Sequence, residues 1–135
     1  MLDNILEKKI NDKNFGHMKI TKDKDTNTFT LTKTIDFGPY KKIDLYLENQ
    51  NPESTTTQFE MFNLLIDNYP KIVKASNEKY FDKYKKDLFA DFDIEYISFN
   101  GRDTNWELWL TKKGGFDKCV VEFDSLDIQG LSFQA

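Results

Sequence analysis

TQFEMFNLLIDNYPKIVKASNEKYFDKYKKDL, residues 57–88, is the long stretch of this chain whose apolar residues recur at helical spacing. Phe59, Phe62, Leu65, Ile66 and Tyr69 form a stripe at three- and four-residue steps, and Met61 and Leu64 widen it, so this part predicts a deeply buried helix. Thr57 stands three residues before Glu60, the capping-box spacing, which predicts an N-cap at Thr57. Pro70 lacks the N–H that a helix interior needs and restricts Tyr69, so it either kinks the helix or opens a second one. In that second segment Val73, Tyr80, Tyr84 and Leu88 share one side, while Lys71, Lys74, Lys79, Lys83 and Lys86 lie largely elsewhere. A helical hairpin or kinked pair is the expectation.

On both sides of this block the period changes from helical to two. Residues 15–20, 28–35 and 42–47 are rich in β-branched and aromatic residues, with turn residues at 23–27 and at Gly38-Pro39. Phe29, Leu31, Lys33 and Ile35 alternate with Thr28, Thr30, Thr32 and Thr34, and Ile43, Leu45 and Leu47 alternate with Asp44, Tyr46 and Glu48. Residues 49–56 are a polar connector. Before the first strand, Leu2, Ile5, Leu6 and Ile10 have helix-like spacing that Asn11 soon interrupts, so residues 1–14 predict a short helix or a loose arm. After the helices, alternation returns over 92–99, 106–110, 118–123 and 128–133, with hairpin residues at Asn100-Gly101-Arg102-Asp103 and Lys113-Gly114-Gly115. The order predicts a single α+β domain over residues 1–135. Its sheet would be antiparallel, three strands before the helices and four after, with the helices on one face.

Composition agrees with one folded core. The chain has 135 residues, 39% apolar and 15% aromatic, with twelve Phe, which excludes disorder; 31% are charged. A domain of this size buries roughly 65% of the surface its unfolded chain exposes. The eleven Asn against three Ala read as genome composition rather than adaptation. Cys119 alone supports neither an intramolecular disulfide nor a multi-cysteine zinc site, residues 1–9 lack the apolar run of a secretory signal, and no stretch approaches the roughly 20 apolar residues of a membrane helix. These features predict a cytoplasmic protein, a monomer or weak homodimer, without membrane contact.

The formal net charge of −4 conceals an asymmetry: residues 87–135 hold ten acidic and four basic side chains, whereas residues 1–53 hold nine of each. Alternation decides where this acid lies. Asp91, Asp93 and Glu95 oppose Phe92, Ile94 and Tyr96; Glu107 opposes Trp106 and Leu108; Glu122 opposes Val121 and Phe123. If these strands are neighbours, Asp93, Glu95, Glu107 and Glu122 share one face with Trp109 and Val120. Such a face either keeps the sheet solvated and resists aggregation, or docks a basic protein that the acids steer and Trp109 anchors. A buried position for Trp109 would remove the second alternative.

Other chemistry finds little support. His17 is the only histidine and has no Ser, Cys or paired acid at motif spacing; Cys119 opens the apolar run Val120-Val121, where a cysteine behaves as a small hydrophobe. Asp124 and Asp127 fit a turn better than a metal loop, and Gly101, Gly114 and Gly115 lack the strand–glycine–helix context that cradles phosphate. Lys79, Lys83, Lys85 and Lys86 interleave with Tyr80, Phe81 and Tyr84, but Asp82 and Asp87 interrupt them and the sequence pI is about 5.0, so they read as a solvated helix end, not a nucleic-acid patch. No cofactor or metal is expected.

The succession Lys33-Thr34-Ile35-Asp36-Phe37-Gly38, Lys42-Ile43-Asp44-Leu45-Tyr46-Leu47, Thr57-Gln58-Phe59-Glu60, Leu64-Leu65-Ile66-Asp67-Asn68 and Tyr80 to Tyr84 resembles a group of short bacterial domains of unknown function. In that group a strand pair precedes a Thr-led helix, a second helix closing on Tyr, and β-hairpins. Some relatives lie beside polymorphic-toxin genes and are regarded as immunity proteins. The likeness spans residues 28–134. Where some relatives have a Trp followed by acidic and His positions, this chain has Trp106-Glu107-Leu108-Trp109 and no His, so no ligand site carries over. The resemblance implies a non-catalytic, immunity-type protein that covers a basic toxin through its acidic sheet face. The alternative is a small hydrolase or ligand-binding protein with carboxylates converging in a pocket between helices and sheet. A third class is a homo-oligomerising module.

Overall fold

The computed structural model describes residues 5–100 and 104–134. Within them the chain runs β1 (Ile5–Asp12), β2 (Gly16–Asp23), β3 (Thr28–Phe37), β4 (Tyr40–Asn49), α1 (Thr56–Asp67), α2 (Tyr69–Tyr84), α3 (Leu88–Asp91), β5 (Phe92–Asn100), β6 (Asn105–Lys112), β7 (Lys118–Asp124) and β8 (Asp127–Gln134). All eight strands form one sheet in chain order. Every neighbouring pair is antiparallel except β4 and β5, which are parallel. The expected purely antiparallel sheet is thus corrected to a mixed one. The helices form a crossover between two four-stranded meanders and return the chain to the starting end of β4, which a hairpin could not do.

The first strand also replaces the helix or arm expected at the N-terminus; residues 1–4 of that expectation lie outside the described residues. A short helix is marginal alone, whereas eight residues of β1 pair in register with β2, from Ile5 opposite Asp23 to Asp12 opposite Gly16. Asp12 fixes the turn between them: its carboxylate accepts the amides of Asn14 and Phe15, each at 2.9 Å. It also accepts the hydroxyl of Thr55, at 2.9 and 3.0 Å to its two oxygens.

That contact corrects the predicted cap. α1 begins two residues earlier than the Thr57–Glu60 spacing implies, with Thr55 at the N-cap, and Thr55 makes no side-chain cap hydrogen bond. Its buried hydroxyl is committed to Asp12. A reciprocal amide pair ties the other end of the connector to α1: Asn49 Nδ2 donates to Gln58 Oε1 at 2.8 Å, and Gln58 Nε2 donates back to Asn49 Oδ1 at 3.0 Å. Pro70 falls in the first turn of α2, where its missing N–H costs nothing.

The core follows the expected stripes in part: Leu65, Tyr80 and Leu88 are buried as expected, but α2 buries Ile72, outside the expected face, and leaves Tyr84 37% exposed. Leu31, Leu45, Leu47, Leu65, Ile72, Ile97 and Leu108 are fully buried, whereas Leu64 is 37% exposed and falls outside the expected stripe. Phe15 meets the rings of Phe59 and Phe62 from α1, Phe37 meets Tyr69, and Phe92 and Phe133 meet Tyr80 from α2. Trp106 lies inside, stacked on Phe123 with centroids 4.5 Å apart, and its indole donates to the carbonyl of Ser125 at 2.7 Å. Among the described residues no helix is long and apolar enough to cross a membrane.

Gly38 shows how tightly the β3–β4 turn meets α2. Its φ is +59°, and an added Cβ would come within 2.7 Å of the Tyr69 ring. Gly38→Ala is therefore expected to cost about 1–3 kcal/mol in urea unfolding from the left-handed backbone alone, with the clash adding to it. Wild-type stability in that variant would contradict this packing.

Candidate functional site

Pleating sorts the sheet residues into two sets. On β4–β7 the buried set is Ile43, Leu45, Leu47, Ile97, Phe99, Leu108, Leu110, Cys119, Val121 and Phe123. The opposite set brings the predicted residues together. Glu107 pairs directly with Glu122, Trp109 with Val120, Thr111 with Lys118, and Asp93 with Thr111. Trp109 is only partly buried on this face, while Val120, directly opposite it, is almost wholly buried.

Tyr96 departs from strict alternation. It had been expected inward with Phe92 and Ile94, but a register shift between Ile94 and Tyr96 inserts Glu95 as an extra residue. A bulge of this kind flips the strand's phase, so Tyr96 stands opposite Trp109. The result is a row of rings across three strands. Tyr46 meets Tyr96 edge-on at 4.9 Å, and Tyr96 lies nearly parallel to Trp109 at 5.2 Å and 14°. Both contacts fall in the range where aromatic pairs attract. Burial, then Glu95, Tyr46 and Glu107, push the Tyr96 phenol up to about 12. Burial and then Asp44 and Glu95 raise that of Tyr46.

The acids around the row are not equivalent. Glu95 accepts hydrogen bonds from Lys118 Nζ and Thr111 Oγ1, and Lys118 donates to Thr111 at 2.9 Å. Asp93 lies 3.8 Å from Lys113. Glu107 accepts the indole N–H of Trp109 at 3.1 Å, which holds the ring in place. Among the described residues neither Glu107 nor Glu122 has an ion-pair partner, although like charges directly opposite on a sheet repel. Beside the rings lies a carboxylate pair that no described residue compensates.

Glu95 offers a pH test. The bonds from Lys118 and then Thr111 hold its carboxyl below the usual carboxylate range, against burial, which raises it. A carboxyl with a lower pKa folded than unfolded stabilises above its unfolded value, and that stability fades as pH falls through the folded one. Glu95→Gln should therefore lower the urea midpoint at neutral pH, by the 0.5–1 kcal/mol or so of a partly exposed pair, and match wild type near pH ~2. An equal gap at both pH values would contradict the linkage.

Elsewhere the site residues stay apart. His17 on β2 and Cys119 on β7 are five strand spacings apart in the sheet order, about 24 Å at the usual interstrand distance, which excludes a dyad. Burial raises the Cys119 thiol to about 12. Asp124 and Asp127 face each other across the two-residue turn Ser125-Leu126, and among the described residues no cluster of three His, Cys, Asp or Glu could hold a metal. Lys85 ends α2 in a left-handed conformation and donates to the Asp82 carbonyl at 3.1 Å. Between α2, β5 and β8 lies a cleft lined by Tyr80, Asp91, Asp117 and Phe133, where the Tyr80 hydroxyl reaches Asp91 at 3.5 Å.

The aromatic row itself was not legible, because the bulge that turns Tyr96 outward has no glycine or proline to mark it. Comparison with protein-family models, with curated proteins and with solved structures finds no match.

Proposed function

We infer that this chain is a non-catalytic protein-binding domain of the immunity type, acting in the cytoplasm as a monomer or weak homodimer, which covers a basic toxin with the sheet face bearing Tyr46, Tyr96 and Trp109. Helices packed on the opposite face would leave this one to the partner. The observation that carries the reading is the row Tyr46–Tyr96–Trp109 beside Glu107 and Glu122, which have no ion-pair partner among the described residues. Aromatic rings supply large contact area at low entropy cost, and carboxylates without a counter-ion draw a cationic surface in. An arginine of the partner can stack on an aromatic ring while its fork meets a carboxylate, which combines both effects.

The acids have distinct parts in this reading. Glu107 and Glu122 meet the partner, while Glu95 and Asp93, engaged by Lys118 and Lys113, hold the face in shape. The test is calorimetric titration with the product of an adjacent gene. Glu107→Lys with Glu122→Lys is expected to weaken binding at least tenfold, about 1.4 kcal/mol or more, with unchanged circular dichroism. No complex, or equal affinity in the double variant, would overturn the assignment.

A further inference from the structure

A second feature lies on the other half of the sheet, on β1–β3. The β2–β3 ladder runs only from Asp23 opposite Thr28 to Lys19 opposite Thr32. Beyond Thr32 the two strands diverge: β2 continues toward Gly16 paired only with β1, and β3 continues toward Phe37 paired only with β4. Their fork opens a cleft of about 670 Å³. Lys9, His17, Lys19 and Lys33 line it, with the hydroxyls of Thr32 and Thr34 and the ring of Tyr46.

Three observations set this cleft apart. Lys9 and Lys19 stand directly opposite each other on β1 and β2, an arrangement that costs stability through like-charge repulsion. Neither has an ion-pair partner among the described residues, in a chain whose net charge is −4. Lys33 spans the fork and donates its ammonium to the carbonyl of Phe15, so a third cation is held at the divide. The one carboxylate in the lining, Asp44, is approached by the Thr34 hydroxyl at 3.4 Å. The lining thus holds three ammonium groups and an imidazole against one carboxylate. Such a lining suits an oxyanion. Charge-assisted bonds from ammonium groups are among the stronger hydrogen bonds available, and the volume falls within the range of small-ligand sites.

We propose that the fork between β2 and β3 binds a small phosphorylated molecule, its phosphate held by Lys9, Lys19 and the Thr32 and Thr34 hydroxyls, with Tyr46, opposite Thr32 on β4, as a stacking surface for a planar ring. Its charges are opposite in sign to those of the acidic face on β6 and β7; the two sites share Tyr46, so Lys19 reports on the cleft and Glu107 with Glu122 on the acidic face.

The test uses the full chain titrated with pyrophosphate, adenosine monophosphate and adenosine, followed by calorimetry and by shifts of the Lys19 and Thr32 amides in NMR spectra. Pyrophosphate and the monophosphate should bind and adenosine alone should not. If the monophosphate binds more tightly than pyrophosphate and Tyr46→Ala removes the difference, the ligand carries a planar ring; equal affinities identify the phosphate alone as the recognised group. Both results support the site. Lys19→Glu separates ligand binding from a structural part. It turns the Lys9–Lys19 repulsion into an attraction, so it should raise the melting temperature while weakening phosphate binding roughly tenfold. Absence of pyrophosphate binding at millimolar concentration, undiminished binding in Lys19→Glu, or adenosine binding as well as its phosphate would each overturn the proposal.

Discussion

Leu65→Ala is expected to lower the free energy of unfolding by about 3–5 kcal/mol, the largest effect of any single truncation in α1. Leu65 has no exposed surface and sits at the middle of the stripe that joins α1 to the sheet. Truncation removes the transfer free energy of the lost carbons and leaves a cavity whose walls are secondary structure on both sides, which collapse poorly. Its neighbour is the control. Leu64 is 37% exposed, so Leu64→Ala should cost about 1 kcal/mol or less. Equal losses in the two variants, read from urea unfolding by circular dichroism, would mean that α1 is rotated from the position described.

Asp12→Ala should cost about 2–4 kcal/mol although it removes no apolar contact. This carboxylate is 8% exposed and is the shared acceptor for the amides of Asn14 and Phe15 and the hydroxyl of Thr55. Its loss strands buried donors, each at a cost, and unties the β1–β2 turn from the start of α1. Asp12→Asn keeps one acceptor oxygen but brings an N–H toward the Thr55 hydroxyl, so it should recover only part of the loss. Full recovery would show that the carboxylate's shape, not its acceptor capacity, holds the turn. Thr55→Val, which leaves the two amides satisfied, should cost less than Asp12→Ala.

The reach of the sequence differed from element to element for physical reasons. β5 to β8 were legible to within one or two residues because their β-branched and aromatic residues recur at near-alternate positions between turns rich in Gly, Asn or Asp. α1 and α2 were legible from their spacing and from Pro70. β1 was not, since Ile5, Leu6 and Ile10 fit a helical stripe as well as a strand, and the partner that decides the matter is β2. Thr57 and Glu60 carried a capping pattern, yet a long-range bond from Thr55 to Asp12 set the helix start instead. The parallel β4–β5 pair depends on where the crossover delivers the chain, which no local pattern encodes. At the candidate face, Asp93, Glu95, Glu107, Trp109 and Glu122 were legible as one side of neighbouring strands. The bulge at Glu95 was not, and with it the sequence withheld Tyr96 and the ring row. The fork at β2 and β3 escaped notice as well, because divergence is a property of two strands together.

In the proposed complex the partner meets the ring row rather than the helices, and each carries a suitable probe. Trp109 stands in the ring row, while Phe81 is 49% exposed on α2. Affinity of Trp109→Ala and Phe81→Ala for the product of an adjacent gene, measured by titration calorimetry, separates the two. Trp109→Ala is expected to lose at least about 2 kcal/mol, roughly 30-fold, and Phe81→Ala to bind as wild type does. The reverse pattern, with Phe81 costly and Trp109 silent, would contradict that placement.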